Sequence, residues 1–330
     1  MPQDTVFHLP FTVEVSPDVD GARRRSLDWA RRRGLLTHPV DERRFLRWDI
    51  AGLMAAWVPR AIGPPLDLAV DAVVVATALD DQFDGPLADR PDLVAAACRD
   101  FTTVIATGGT PPPRAGALVD AFADVWRRLA RDASPAWLTR TGRYWWWYVM
   151  AYAEEAGNRA RRHAPTRAEY FALRRRSGFV HAMLDVSQKA YGFEAPDGLY
   201  ADASVQRMLL ITADVVDTLN DVHSVEKEES RGDPHNLVLV VEREQGGGRE
   251  AALAEIQRLV HEWCAEFEAL ERTLRGGGPP GPDGTATALL VDTLRTAMSG
   301  YLHWSRACLR YARPVPAGEP AFVTDLLTGP

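Results

Sequence analysis

Apolar residues recur at intervals of three and four along most of the chain, which is the period of helices that bury one face. Sustained alternation of apolar and polar residues, the pattern of strands, is missing. The helical segments predicted from this period are residues 22–34, 41–58, 65–83, 91–106, 115–131, 136–163, 166–190, 203–229, 249–274 and 285–312. The pattern therefore predicts an all-α fold.

Glycine and proline clusters fall between these segments rather than inside them. We interpret the clusters as inter-helix loops, at residues 108–113, 232–234, 246–248 and 276–284. The helix after 276–284 is too short to form a core alone, so we expect residues 21–330 to form one domain. Residues 1–20 contain several prolines and little helical period, which predicts an extended N-terminal arm.

The segment 143–152, RYWWWYVMAY, is apolar and aromatic around much of a helical circumference. Such a helix is buried on several sides. Two roles remain open for Trp145, Trp146 and Trp147, because large aromatic side chains serve both as core packing and as the wall of an apolar ligand cavity.

The composition excludes several classes of protein. Hydrophobic residues make up 46% of the chain and charged residues 25%, which is typical of a globular protein. The 38 basic and 45 acidic residues give a net charge of -7, which argues against a nucleic-acid partner. The 3 cysteines have no CxxC spacing, and neither a leader nor a long apolar run is present. We therefore expect a cytoplasmic protein that does not enter a membrane.

Three aspartates, Asp80, Asp81 and Asp84, crowd the end of an apolar helical run. Asp80 and Asp84 lie one turn apart on the same helix face, and their charges oppose the negative end of the helix dipole. A hard dication such as Mg2+, shared with phosphate oxygens, would relieve this repulsion. A solvated acidic turn closed by Gly85 is the alternative, and the motif alone does not decide between the two.

A second polar stripe follows on a later helix, where Asn220, Ser224 and Glu228 are spaced four residues apart. An amide, a hydroxyl and a carboxylate therefore share one helix face. These three oxygen donors suit an octahedral Mg2+ whose other positions go to water and diphosphate. The helix leading into the stripe, RMLLITADVVDTL, is apolar enough to be a core element, which argues against a merely solvated face.

The two motifs resemble those of the class I terpene synthases of bacteria. Asp80, Asp81 and Asp84 resemble the aspartate-rich motif of that family, and the stripe that begins at Asn220 matches its second metal motif, NDxxSxxKE. The resemblance spans most of the chain. It implies a helical bundle around a central apolar cavity, three Mg2+ ions, and cyclisation of an isoprenyl diphosphate to a terpene hydrocarbon or alcohol.

The resemblance also implies which residues bind diphosphate. Arg174 matches the diphosphate-sensing arginine, although its neighbours Arg175 and Arg176 remain alternatives. Ser177 and Gly178 fall at the linker and effector positions, where the family breaks a helix and aims a carbonyl at the nascent carbocation. The other diphosphate-binding residues implied by the resemblance are Lys227, Arg310 and Tyr311.

The wall of the implied cavity has an unusual feature. The chain carries Ala76 and Thr77 where many relatives have Phe, so we expect a wider cavity on that side. This predicts a substrate or cyclisation mode different from the commonest sesquiterpene case, with farnesyl diphosphate the first choice and geranylgeranyl diphosphate the second. Trp304 is a candidate for either the core or the cavity wall. The oligomeric state stays open, with a homodimer among the alternatives.

Two other functions remain open. A chain-elongating prenyl diphosphate synthase would share the bundle and the Mg2+ chemistry, but it should carry a second aspartate-rich motif where this chain has NDxxSxxKE. A noncatalytic helical module that binds diphosphate would tolerate loss of the metal ligands. Charge clusters of this kind are costly to keep unless a ligand compensates their repulsion.

Overall fold

The computed structural model describes residues 4–83, 87, 88, 90–275, 282–310, 326 and 327, and within these ranges it contains helices and no β-strand. The helices are α1 (Val19–Arg32), α2 (Pro39–Trp48), α3 (Ile50–Trp57), α4 (Pro64–Phe83), α5 (Pro91–Ala106), α6 (Ala117–Ala130), α7 (Pro135–Ala160), α8 (Arg167–Ser177), α9 (Val180–Ala190), α10 (Asp197–Ala201), α11 (Ala203–Arg231), α12 (Leu237–Gln245), α13 (Gly248–Arg275) and α14 (Pro282–Ala307). The predicted all-α fold is confirmed.

The predicted segment 41–58 is two helices, because the chain breaks at Asp49. This residue has a left-handed backbone, with φ 45°, and its side chain accepts a hydrogen bond from the Gly52 backbone N–H at 3.2 Å. The carboxylate thereby satisfies a free donor at the start of α3. Apolar periodicity continues through the break and so did not reveal it.

The predicted segment 166–190 also breaks, at Phe179, whose φ is 66°. A bulky residue seldom adopts this conformation without support from its surroundings. The support here is aromatic, since the rings of Trp145 and Tyr148 both lie 4.6 Å from the Phe179 ring, centroid to centroid. Packing from α7 therefore stabilises the junction between α8 and α9.

The periodicity missed two short helices, α10 and α12. The apolar run LVLVV at the start of α12 has no spacing of three and four because it is buried on more than one side. Its buried residues are Leu237, Val238, Val240 and Val241. Such a run does not distinguish a buried helix from a buried strand.

The chain before α1 has no regular helix from residue 5 to residue 16 and lies on the body of the protein. Phe7 and Phe11 are buried there. Ser299 donates a hydrogen bond from Oγ to the Thr12 carbonyl at 3.1 Å, and Ser16 donates from Oγ to the Ala61 carbonyl at 2.7 Å. The first helix starts at Val19, slightly before the predicted boundary.

The centre of the molecule is formed by α4, α9, α11 and α14. Helix α11 packs against α9, α13 and α14, while α4 packs against α6 and α9, and α14 against α3. Gly300 allows α14 to approach α3 closely, since a Cβ on it would lie 2.4 Å from the Ala56 carbonyl oxygen. The backbones of α14 and α3 therefore touch at this point.

Asp221 of α11 ties together three helices. Its carboxylate accepts hydrogen bonds from the Tyr170 hydroxyl at 2.6 Å and from Arg174 at 2.8 Å, both on α8. It also accepts from the Leu237 backbone N–H at 2.5 Å, at the start of α12. The side chain is fully buried, so these partners replace the water that the charge would otherwise bind.

Replacing Gly300 by Ala should destabilise the fold, because the added methyl would meet the backbone of α3. We expect a loss of about 1–3 kcal/mol in the free energy of unfolding. Gly198→Ala is the control, since a Cβ on Gly198 would meet nothing within 4 Å. Denaturant unfolding measures both variants, and equal midpoints would contradict the close approach of α14 and α3.

Replacing Asp221 by Asn should lower the free energy of unfolding by roughly 3–5 kcal/mol, because it leaves the Arg174 charge without its buried partner. The matched control is Glu262→Gln, which removes an ion pair to Arg258 in which both side chains are 54% exposed. That change should cost less than about 1 kcal/mol. Chemical denaturation of both variants, compared with the wild type, tests the difference.

Candidate active site

A cavity of about 150 Å³, partly open to solvent, lies between α3, α4, α7, α8, α9, α11 and α14. It brings most of the predicted site residues into one wall: Ala76, Thr77, Asp80, Arg174, Gly178, Asn220, Ser224, Lys227, Glu228, Trp304 and Arg310. Asp81 lies beside this wall and is bound by Arg310. Asp84 and Tyr311 lie outside the described residues.

The carboxylates at the end of α4 are held by cations from distant parts of the chain. Arg310 donates to Asp80 at 2.9 Å and to Asp81 at 3.2 Å, and the Lys227 ammonium of α11 lies 3.9 Å from Asp81. Burial opposes ionisation of Asp81, but Arg310 and Lys227 outweigh it and lower its pKa. This end of the cavity therefore favours positive charge next to the carboxylates.

The polar stripe of α11 faces the same cavity. Asn220 accepts from Arg174 at 2.7 Å and donates to the Tyr301 hydroxyl at 2.7 Å. Glu228 accepts from the side-chain amide of Asn236 at 2.7 Å. Burial, together with the negative charge of Asp221, raises the pKa of Glu228 to about 8. The group thus lacks enough nearby positive charge to stay ionised as readily as an exposed glutamate.

The three consecutive arginines of α8 have different partners in the structure. Arg175 pairs with Asp214 at 2.7 Å and Arg176 with Glu154 at 2.8 Å, so both are engaged elsewhere. Arg174 alone of the three belongs to the described cavity wall. Its Nε is buried and has no hydrogen-bond partner among the described residues. Burial opposes its charge, but Asp221 and Asp217 raise its pKa well above the ordinary value.

Gly178 ends α8 at the point where the chain turns into α9. A Cβ on this residue would lie 2.0 Å from one carboxylate oxygen of Asp217 and 2.4 Å from the other. Any larger side chain would therefore displace the Asp217 carboxylate. The left-handed residue of the break is Phe179 rather than Gly178, so close approach, not backbone freedom, accounts for the glycine.

The oxygen donors around the cavity fit a hard metal ion. Asp80, Asn220, Ser224 and Glu228 present carboxylate, amide and hydroxyl oxygens, the ligands that Mg2+ prefers. Within the described part of the chain, no group of three or more His, Cys, Asp or Glu side chains is arranged to hold a metal ion. A metal ion in this cavity would therefore also need the neutral oxygens of Asn220 and Ser224. The Arg310 guanidinium already places positive charge against Asp80.

The aromatic residues of the cavity differ from those singled out by the sequence. Tyr148 and Tyr152 of α7 line it, whereas Trp145, Trp146 and Trp147 are not among the described wall residues. Trp145 packs in the core and Trp146 is 47% exposed. Trp304 is both buried and part of the wall, and its indole N–H donates to the carbonyls of residues 48 and 49 at 2.9 and 3.0 Å.

Sequence reasoning also missed Asp217 and Tyr301, which both line the cavity. A signal was present in each case. Asp217 precedes Asn220 by three residues and Tyr301 precedes Trp304 by three, so each shares a helix face with a residue already singled out. Extending each stripe by one turn toward the N-terminus would have found them.

Comparison with known proteins agrees with this geometry. A family model described as terpene synthase family 2, C-terminal metal binding, matches residues 71–266. The chain is 34% identical over 336 residues to a pentalenene synthase of Streptomyces arenae, with 99% of this chain and 98% of the relative covered. It is 31% identical over 333 residues to a (-)-beta-caryophyllene synthase ((2E,6E)-farnesyl diphosphate cyclizing) of Saccharothrix espanaensis, covering 99% and 94% of the two chains.

The fold agrees as well. The crystal structure of a linalool/nerolidol synthase from Streptomyces clavuligerus, in complex with 2-fluorogeranyl diphosphate, has a TM-score of 0.81 at 27% identity and covers 88% of this chain and 100% of that one. No described helix is long and apolar enough to cross a membrane. A helical bundle, a cavity with two polar motifs and relatives matched over nearly their whole length lead to one conclusion: the chain belongs to the bacterial class I terpene synthases.

Proposed function

We propose that the protein uses Mg2+ to ionise a linear isoprenyl diphosphate and cyclises the resulting carbocation to a terpene. Farnesyl diphosphate is the preferred substrate, and geranylgeranyl diphosphate is the second choice. The observation that carries the proposal is that Asp80 of α4 and the Asn220–Glu228 stripe of α11 face one cavity that continues into an apolar pocket. The farnesyl diphosphate named for the Saccharothrix espanaensis relative supports the choice of substrate.

The metal ions would be held at the polar end of the cavity. Asp80, with Asp84, would bind two Mg2+ ions, and Asn220, Ser224 and Glu228 would bind a third. When bound, Mg2+ neutralises the charge that develops on the leaving diphosphate. Asn220 can offer its oxygen to a metal only if Arg174 gives up its present hydrogen bond to it.

The cationic side chains would bind the diphosphate itself. Arg174 has a buried N–H without a protein acceptor among the described residues, which suits an anionic oxygen. Lys227 and Arg310 lie at the same end of the cavity, where they now hold Asp81. Tyr311 follows Arg310 directly in the chain and completes the proposed set.

The apolar end would hold the isoprenyl chain and exclude bulk water. It is lined by Ile50, Leu53, Val73, Val180, Met183 and Val216. Five of these side chains are pure hydrocarbon and cannot trap a carbocation, and the Met183 thioether is the one nucleophilic group among the six. The ring of Trp304 lies in the same wall, and an aromatic face stabilises a passing cation through its quadrupole.

Replacing Ser224 by Ala should lower diphosphate release by about 100-fold, because one oxygen donor for the metal is lost. The control is Ser230→Ala on the same helix, where Ser230 is exposed and donates only to the Lys227 carbonyl at 2.6 Å. The assay measures diphosphate release and extractable products with Mg2+ and ten-, fifteen- and twenty-carbon diphosphates. Equal rates for Ser224→Ala and Ser230→Ala would contradict the proposed metal site.

The same assay distinguishes the rival function. A chain-elongating enzyme would consume isopentenyl diphosphate and lengthen the allylic substrate. The proposed cyclase should leave isopentenyl diphosphate untouched and release a terpene from a single allylic diphosphate. Loss of activity on adding a chelator, with recovery on adding Mg2+, tests the requirement for metal.

Replacing Ala76 by Phe should narrow the cavity, because Ala76 is buried in its wall on α4. We expect turnover of the twenty-carbon diphosphate to fall about tenfold more than turnover of the fifteen-carbon one, since an overfilled pocket rejects the longer chain. The turnover rates of the two substrates are measured on one preparation of the variant, so the folded fraction of the protein cancels from their ratio. An unchanged ratio and an unchanged product would contradict the role of Ala76 in substrate choice.

A further inference from the structure

Asp217 is an acidic residue of the cavity wall that the proposed metal and diphosphate sites do not use. It lies on α11 one turn before Asn220. It is only 4% exposed, and its Oδ2 has no hydrogen-bond partner among the described residues. A buried carboxyl oxygen without a protein partner thus belongs to the wall of the cavity.

A second polar atom without a partner lies across the helix junction. Ser177 is 6% exposed and belongs to the cavity wall, and its Oγ also has no partner within the described part of the chain. Asp217 packs against Gly178, the residue that follows Ser177, so the two polar groups flank one glycine. They meet where α8, α9 and α11 converge.

Several other hydroxyls of the wall are already engaged. Tyr148 donates to the Ala76 carbonyl at 2.8 Å, and Tyr301 accepts from Asn220 at 2.7 Å. Buried polar groups are nearly always paired, and those without a protein partner characteristically bind an ordered water. A buried water needs two or more polar partners, and a water bound here would have Asp217 and Ser177 as its partners.

We propose that Asp217 and Ser177 bind a water molecule inside the cavity and that this water captures the terminal carbocation, so that the released product is a terpene alcohol. The inference rests on the proposed function and assigns its product class. It gives Asp217 a role separate from metal and diphosphate binding, because Asp217 lies in neither metal motif, and it adds water binding to the linker position that the resemblance implies for Ser177.

The capture step needs only the carbocation, the bound water and the Asp217 carboxylate. A lone pair of the water oxygen forms a C–O bond to the cationic carbon, and one O–H bond of the water breaks. The proton passes to the Asp217 carboxylate, so a cation and a carboxylate become a neutral alcohol and a carboxylic acid. Asp217 returns the proton to solvent after the product leaves.

The environment of Asp217 suits a proton acceptor. Burial raises its pKa to about 8, against the opposing positive charge of Arg174. At neutral pH a group with this pKa is mostly protonated, so capture takes place in the fraction of molecules in which Asp217 is ionised. In that fraction its carboxylate is a stronger base than the carboxylate of an exposed aspartate.

The test uses the full chain with Mg2+ in 18O-labelled water, and the most rapidly consumed of the ten-, fifteen- and twenty-carbon diphosphates. The wild type should release an alcohol that carries the label, which shows that its oxygen comes from water and not from the diphosphate. Asp217→Asn and Ser177→Ala should each lower the ratio of alcohol to hydrocarbon by roughly tenfold, the effect of one lost hydrogen bond to the water. The ratio is taken within one sample and is independent of the folded fraction.

Thr218→Val is the matched control. Thr218 neighbours Asp217 on α11 and also has a buried hydroxyl without a partner among the described residues, but it is not part of the described cavity wall. Its replacement should leave the ratio of alcohol to hydrocarbon unchanged. Diphosphate release accompanied by hydrocarbons alone, or an unchanged ratio in both test variants, would overturn the inference and leave the proposed function intact. Absence of diphosphate release from every substrate would overturn both.

Discussion

Carboxylates of α4 and α11 face a common cavity, and their mutual repulsion is offset by cations that other parts of the chain supply. Arg310, beyond the end of α14, binds Asp80 and Asp81, while Lys227 approaches Asp81 from α11. Arg174 of α8 binds Asn220 and Asp221 in the same way. The polar end of the cavity is therefore assembled from segments far apart in sequence. Asp80, Asp81 and Asp221 each have a cation beside them, whereas Glu228 is bound by the Asn236 amide.

This arrangement links the polar site to helix packing. Arg174 contacts the polar stripe through Asn220 and the core through Asp221, which also binds Tyr170 and the start of α12. Any ligand that draws Arg174 away from Asn220 acts on a side chain that is anchored in the core. An anion bound by Arg174 would therefore be coupled to the position of α8 through this one guanidinium.

The junction of α8 and α9 separates the two halves of the cavity. On one side lie Arg174 and the metal motifs, and on the other lie the apolar residues of α9 such as Val180 and Met183. Gly178 lets α11 approach the junction closely, and Phe179 turns the chain with the support of Trp145 and Tyr148. The polar and the apolar side chains of the cavity wall therefore lie only a few residues apart in the chain.

The amino-acid sequence by itself determined the helical class, the two polar motifs and the face that each motif occupies, because helical period and ligand type are local properties. It also identified Arg174, although Arg175 and Arg176 were excluded only by their partners Asp214 and Glu154. Tertiary structure alone decided the break at Asp49, the left-handed backbone of Phe179 beside the break expected at Gly178, the choice of Tyr148 and Tyr152 over Trp145, Trp146 and Trp147 as wall residues, and the position of Asp217 at the cavity. Each of these depends on contacts between residues distant in the chain, which a local pattern does not contain.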